Sequence, residues 1–135
     1  MRIMGIDYGD KRVGIAISDP MNIIATGLAT FKNEKGLYKK IETMVKEHNV
    51  GTVVVGMPIN MDDTCGFRAE ITKAFVEKLK KILKGIKITT WDERLSTSFS
   101  LRVLSEASVK GKKKKETVDK IAAAFILQGY LDSVK

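Results

Sequence analysis

One cysteine and one histidine are all that 135 residues contain of the two side chains most used for metal binding and nucleophilic catalysis. A single cysteine, Cys65, rules out an internal disulfide framework. Cys65 sits in "MDDTCGF" with no second thiol and no ligand spacing around it, which argues against thiol catalysis and zinc binding. His48 closes the apolar stripe of a helical segment and reads as a structural or surface residue. The N-terminus lacks a basic stretch followed by a long apolar run and a small-residue cleavage site, so the expected compartment is the cytoplasm. No apolar run approaches the roughly 20 residues that cross a bilayer, so no membrane role is expected. Repeats, low-complexity tracts and interdomain linkers are also missing, and residues 1–135 are expected to form a single domain, long enough to bury a real core.

Positive charge is abundant. Twenty-four Lys and Arg against 16 Asp and Glu give a net charge of +8 and a sequence pI near 9.6. Such a balance favours a polyanionic partner through long-range attraction and counterion release.

Apolar periodicity sets the architecture. Residues 2–7 and 12–18 are short apolar runs joined by Tyr8-Gly9-Asp10-Lys11, which suits an antiparallel hairpin, and 23–31 can add a third strand. The period then changes: Leu37, Ile41, Met44, Val45 and His48 follow three-and-four spacing, predicting a helix before the strand 52–56. A second helical stripe, Phe67, Ile71, Ala74, Phe75, Leu79, Ile82 and Leu83, leads through Gly85 into a strand at 86–91. Helices over 96–107 and 117–134 complete the order. Unalternating runs such as "TVVVG" suggest central strands covered on both faces. The expectation is an α/β fold with a mixed sheet, a hairpin-led unit followed by parallel strands joined by helices.

With thiol and imidazole set aside, carboxylates are the candidate catalytic groups. Asp7 ends the first strand, Glu93 follows the strand 86–91, and Asp119 stands in the first turn of the predicted last helix. Each has a plain alternative: Asp7 as a turn former, Glu93 as the local partner of Arg94, Asp119 as a complement to the helix dipole. In a mixed sheet, two strand ends and an adjoining helix can bring all three together. Clustered like charges repel and favour a hard divalent cation, Mg²⁺ or Mn²⁺, which accepts phosphate oxygens. Ala122 and Ala123, three and four residues beyond Asp119, would let that helix approach the sheet closely, as ordinary packing would also require.

Basic residues flank these acids in the sequence. Lys11 and Arg12 follow the hairpin turn, Arg94 adjoins Glu93, and Lys110, Lys112, Lys113, Lys114 and Lys115 precede Asp119. The run "KGKKKKE" reads either as a flexible solvated loop or as a phosphate-backbone contact. Aromatic interleaving is absent, which points to recognition by shape and backbone.

"GIDYGDKRVGIAISD", "GMPINMDDT", "WDERLST" and "VDKIAAAFILQGYL" together resemble the four motifs of the YqgF family, whose members are described as Holliday junction resolvases and pre-16S rRNA nucleases. The resemblance runs in order over essentially the whole chain. It implies an RNase H-like fold with a five-stranded mixed sheet flanked by helices. It also implies an endonuclease dependent on Mg²⁺ or Mn²⁺, with Asp7, Glu93 and Asp119 as catalytic metal ligands. The implied partner is structured RNA or branched DNA, and the implied assembly a monomer or weak homodimer. Asp63 and Phe67 depart from the glycine and proline expected there, which puts the local conformation of 61–67 in question. A non-catalytic RNA- or ribosome-associated factor is the alternative, opposed by the intact acids. A phosphotransferase of the actin and sugar-kinase type would need a second domain, and 135 residues are too few.

Overall fold

The computed structural model describes residues 1–59, 66–93 and 112–134, with side chains from Val118 onward in the last stretch. In chain order the elements are β1 (Arg2–Tyr8), β2 (Arg12–Ser18), β3 (Ala25–Lys32), α1 (Leu37–Glu47), β4 (Val50–Met57), α2 (Phe67–Ile82), β5 (Lys87–Asp92) and α3 (Lys112–Ser133). The strands form one five-stranded sheet in the order β3-β2-β1-β4-β5. β1 pairs antiparallel with β2, and β2 with β3. β4 lies parallel to β1 on one side and to β5 on the other. The mixed sheet is therefore the expected one, with strand limits that move by two residues or fewer.

Two-residue alternation divides the sheet into unlike faces. Met4, Ile6, Ile15, Val53 and Val55 point one way and pack with Leu37, Ile41 and Val45 of α1 and Phe75 and Leu79 of α2. Each such fully buried aliphatic side chain contributes about 1.5–3 kcal/mol of transfer free energy. The intervening positions carry small residues, Gly5, Gly14, Ala16 and Gly56, and face α3. There Ala16, Val54, Ala123, Ile126, Leu127 and Leu131 make a second, thinner core. A Cβ added at Gly5 would stand 2.7 Å from Leu127 Cβ and 3.0 Å from the Ala123 carbonyl oxygen. The helix rests almost on the strand backbone, and Ala122 and Ala123 are fully buried beneath it, as the sequence suggested.

Two expectations are corrected. α3 begins at Lys112, five residues before the expected start, because Lys112–Lys115 and Glu116 are straight-chain residues that lose little rotamer freedom in a helix. Lys112–Lys115 are thus helical rather than a loop, and Asp119 stands about two turns inside the helix instead of in its first turn. α2 is rotated from the expected stripe: it buries Ala69, Thr72, Phe75, Val76 and Leu79, while Ala74 is exposed and Phe67 is 80% exposed. Phe75 stacks on Tyr8 with ring centroids 3.9 Å apart, which fixes the rotation. Thr72 can be buried because its hydroxyl donates to the Arg68 carbonyl at 2.9 Å. Phe67 is the first residue of α2, the position where proline is favoured in helices generally. Asp63 and the helix expected over 96–107 lie outside the described residues, as does Cys65.

Candidate active site

β1 ends where the small-residue face meets α3. Asp7 lies within the strand, opposite Gly14 of β2, so it is a sheet residue and not a turn former. It is 2% exposed. The hairpin beyond it is firmly held. Gly9 N–H donates to the Arg12 carbonyl at 3.0 Å, and Asn33 reaches back to the Gly9 carbonyl with its side-chain amide at 2.8 Å.

α3 delivers Asp119 to the same place. Gly14 lets the helix backbone at Asp119 press onto β2, since a Cβ there would overlap the Asp119 carbonyl group. Arg12, the first residue of β2, donates from Nε to Asp119 Oδ2 at 2.7 Å in a partly buried ion pair. A cavity of about 300 Å³ opens between these groups, lined by Asp7, Gly9, Asp10, Lys11, Arg12, Arg68 and Asp119.

Glu93 follows β5. It is 7% exposed, and its Oε1 sits 2.8 Å from where a Gly56 Cβ would be. Because Ile6 of β1 pairs with Val55 of β4, the next residues along, Asp7 and Gly56, stand at the same level on neighbouring strands. The absence of a side chain at Gly56 gives the Glu93 carboxyl its room, on the α3 side and at the carboxyl ends of the parallel strands. Burial pushes the Glu93 carboxyl up to about 7; the Arg68 guanidinium draws it down and Asp92 pushes it further up.

Asp7 and Asp119 therefore share one cavity, and Glu93 stands next to it without lining it. Among the described residues, no three His, Cys, Asp or Glu side chains come close enough to form a closed cation cage. Lys11 and Arg12 line the cavity as expected. Lys112–Lys115 lie four to seven residues ahead of Asp119 in α3, about 6 to 10 Å along the axis. Arg94 and Lys110 lie outside the described residues. His48 caps α1 beside a separate cavity with Met1, Arg2, Pro20, Glu47 and Asn49, at the far end of the sheet.

Three contributors were missed in the sequence. Arg68, in the first turn of α2, donates to the Tyr8 carbonyl at 2.9 Å and pairs with Asp10, tying α2 to the hairpin turn. Nothing local in "GFRAE" marks it, since its partners lie about 60 residues away. Gly14 and Gly56 did leave a signal: they belong to the small-residue alternation that marks where a helix comes close.

Comparison with known proteins identifies the family and the fold. Residues 1–133 match the RuvX family, described as Holliday junction resolvase. A Staphylococcus aureus (strain N315) protein named "Putative pre-16S rRNA nuclease" is 49% identical over 138 residues, covering 98% of this chain and 96% of its own. Among solved structures, Thermus thermophilus RuvC in complex with a Holliday junction substrate superposes with a TM-score of 0.60 at 11% identity, over 99% of this chain and 95% of that one. The fowlpox virus Holliday junction resolvase gives 0.57 at 20% identity, over 98% and 99% of the two chains. The RNase H-like fold is thus shared with RuvC-like resolvases, and the chain belongs to the RuvX (YqgF) family of Holliday junction resolvases.

Proposed function

We propose that the protein is a divalent-metal-dependent endonuclease acting on structured nucleic acid, with ribosomal RNA precursor as the leading substrate and branched DNA as the second. The observation that carries this reading is the convergence of Asp7 from β1 and Asp119 from α3 on one cavity whose other charged lining residues include Lys11, Arg12 and Arg68. The donor set suits Mg²⁺ or Mn²⁺: among the described residues, the side chains lining the cavity that could ligate a cation are the carboxylates of Asp7, Asp10 and Asp119. Mg²⁺ keeps several waters and is commonly held by one or two carboxylates plus phosphate oxygens, so the lack of a closed three-residue cage is compatible with it. When bound, such an ion supplies Lewis-acid charge at the scissile phosphate and acidifies water.

The chain's own residues do the rest. Asp7 and Asp119 would hold the ion, and Glu93 would provide the third carboxylate from the end of β5, across β4 from β1. Lys11, Arg12, Arg94, Lys110 and Lys112–Lys115 take the phosphate backbone, which sets register without reading bases. In the cleavage step the water oxygen bonds to phosphorus as the bond to the 3′ oxygen breaks. The 3′ oxygen takes up a proton, leaving 5′-phosphate and 3′-hydroxyl ends. The 49% identical relative supports the RNA substrate, and the family description supports the branched DNA. On this reading the protein works in the cytoplasm, where ribosomal RNA precursor is found, as a monomer or weak homodimer. No helix among the described residues is long and apolar enough to cross a membrane.

The test is purified protein with Mg²⁺ or Mn²⁺ against labelled ribosomal RNA precursor, single-stranded RNA, duplex DNA and a four-way junction, beside Asp7→Asn. Metal-dependent cutting of precursor or junction by the native protein alone supports the reading. Binding without cutting of every substrate returns the protein to the non-catalytic alternative.

A further inference from the structure

Three carboxylates line the cavity, Asp7, Asp10 and Asp119; Arg68 pairs with Asp10, and Arg12 places a cation on Asp119. Asp119 has little freedom to leave. Its helix is pressed against Gly14, and the backbone at that position is in contact with β2. Arg12 is different: it begins β2 at the end of the strand, and only its flexible side chain joins the pair. A divalent ion entering between Asp7 and Asp119 would repel the guanidinium from the same oxygen, so one of the two cations must yield.

We propose that Arg12 is a positioning residue that exchanges partners: it holds Asp119 while the cavity is without metal, gives way to the divalent ion, and then serves as a phosphate ligand at the metal's edge. This inference rests on the nuclease reading above. It makes the ion and the nucleic acid bind cooperatively, because the ion frees the guanidinium that the phosphate needs, and the coupling must be reciprocal. Arginine suits the role, since its planar fork matches carboxylate and phosphate equally well.

The probe is Mn²⁺ alone, titrated into native protein while the free ion is followed by electron paramagnetic resonance. Arg12→Gln removes the competitor and is expected to bind Mn²⁺ about 3- to 10-fold more tightly, the range for a partly buried charge-assisted pair. Lys11→Gln removes the same charge from the same cavity without touching Asp119 and is expected to change Mn²⁺ affinity by less than about 2-fold. In an Asp119→Asn background, Arg12→Gln is expected to give no gain, and Arg12→Lys, which keeps a cation at the position, reports whether a folded variant still competes. In nucleic-acid binding, Arg12→Gln should weaken affinity in Ca²⁺ while leaving it nearly unchanged in EDTA. Equal Mn²⁺ affinity for native protein and Arg12→Gln, or equal gains from Arg12→Gln and Lys11→Gln, would overturn the exchange and leave the nuclease reading standing. No Mn²⁺ binding by any of these proteins would remove the nuclease reading and the exchange together.

Discussion

Glu93 offers the sharpest test of the site's electrostatics. Its carboxyl is pushed from 4.5 to about 7, first by burial and then by Asp92, against the pull of Arg68. Because the folded protein holds this proton more tightly than the unfolded chain, stability falls as pH rises from about 4.5 to about 7. Below that window the shift costs nothing; above it the full cost is present. A displacement of 2.5 units corresponds to about 3 kcal/mol at 1.36 kcal/mol per unit, and the group is buried enough for little of that to be screened. Glu93→Gln keeps the shape and removes the charge. In EDTA at pH 8 it is expected to be more stable than the native protein by up to about 3 kcal/mol, and at pH 4.5 the gap should close. Urea denaturation at the two pH values, read by far-ultraviolet circular dichroism, measures both. Saturating Mg²⁺ should narrow the gap at pH 8, since only the intact acid set gains from binding. A native protein and Glu93→Gln with parallel stability profiles from pH 4.5 to 8 would refute the reasoning.

Three further outcomes follow from the same geometry. Asp7→Asn should abolish cleavage with the fold retained, because an amide is a poor substitute for an anionic ligand; undiminished turnover by the folded variant, with contaminating nucleases excluded, would remove Asp7 from the site. Replacing Lys112, Lys113, Lys114 and Lys115 by Gln should make the slope of log affinity against log salt shallower by as much as about 3 to 4, and an unchanged slope would leave the run a solvated helix end. Gly14→Ala should cost about 1–3 kcal/mol and displace Asp119, since the new Cβ would stand 2.6 Å from the Asp119 carbonyl carbon; a variant with native melting temperature and native turnover would show that the close approach does not position the acid.

Strand content was legible because each run between 2 and 57 follows a period-2 or unbroken apolar pattern bounded by turn residues. The start of α3 was not, because lysine marks solvation as readily as it tolerates a helix, and only the backbone course tells the two apart. The buried face of α2 was misread for a related reason: Phe67 and Ala74 are apolar, yet the stacking of Phe75 on Tyr8 is a tertiary choice that no local spacing contains. Asp7 and Glu93 could be singled out from their places at strand ends, whereas Asp119 was singled out on an expected helix start that the longer α3 moves about two turns away. Arg68 could not, because what distinguishes it is an interaction spanning from α2 to the β1–β2 turn.

Small residues connect the fold to the chemistry. Gly5, Gly14 and Gly56 recur on one side of β1, β2 and β4, and their lack of side chains lowers α3 onto the sheet. The lowered helix brings Asp119 to the level of Asp7, and the gap at Gly56 admits the Glu93 carboxyl to the same side. That closeness has an electrostatic consequence. Burial strips water from the Glu93 carboxyl and, with Asp92 beside it, raises its titration. Arg68 draws Glu93 back down and Arg12 pairs with Asp119, both through guanidinium groups that also fit phosphate. Under the proposed nuclease reading, a divalent cation would offset the negative charge of Asp7 and Asp119. Thin packing that looks like a concession in the hydrophobic core is therefore what would prepare the proposed metal site, and adding volume at those glycines should reduce metal affinity before it unfolds the sheet.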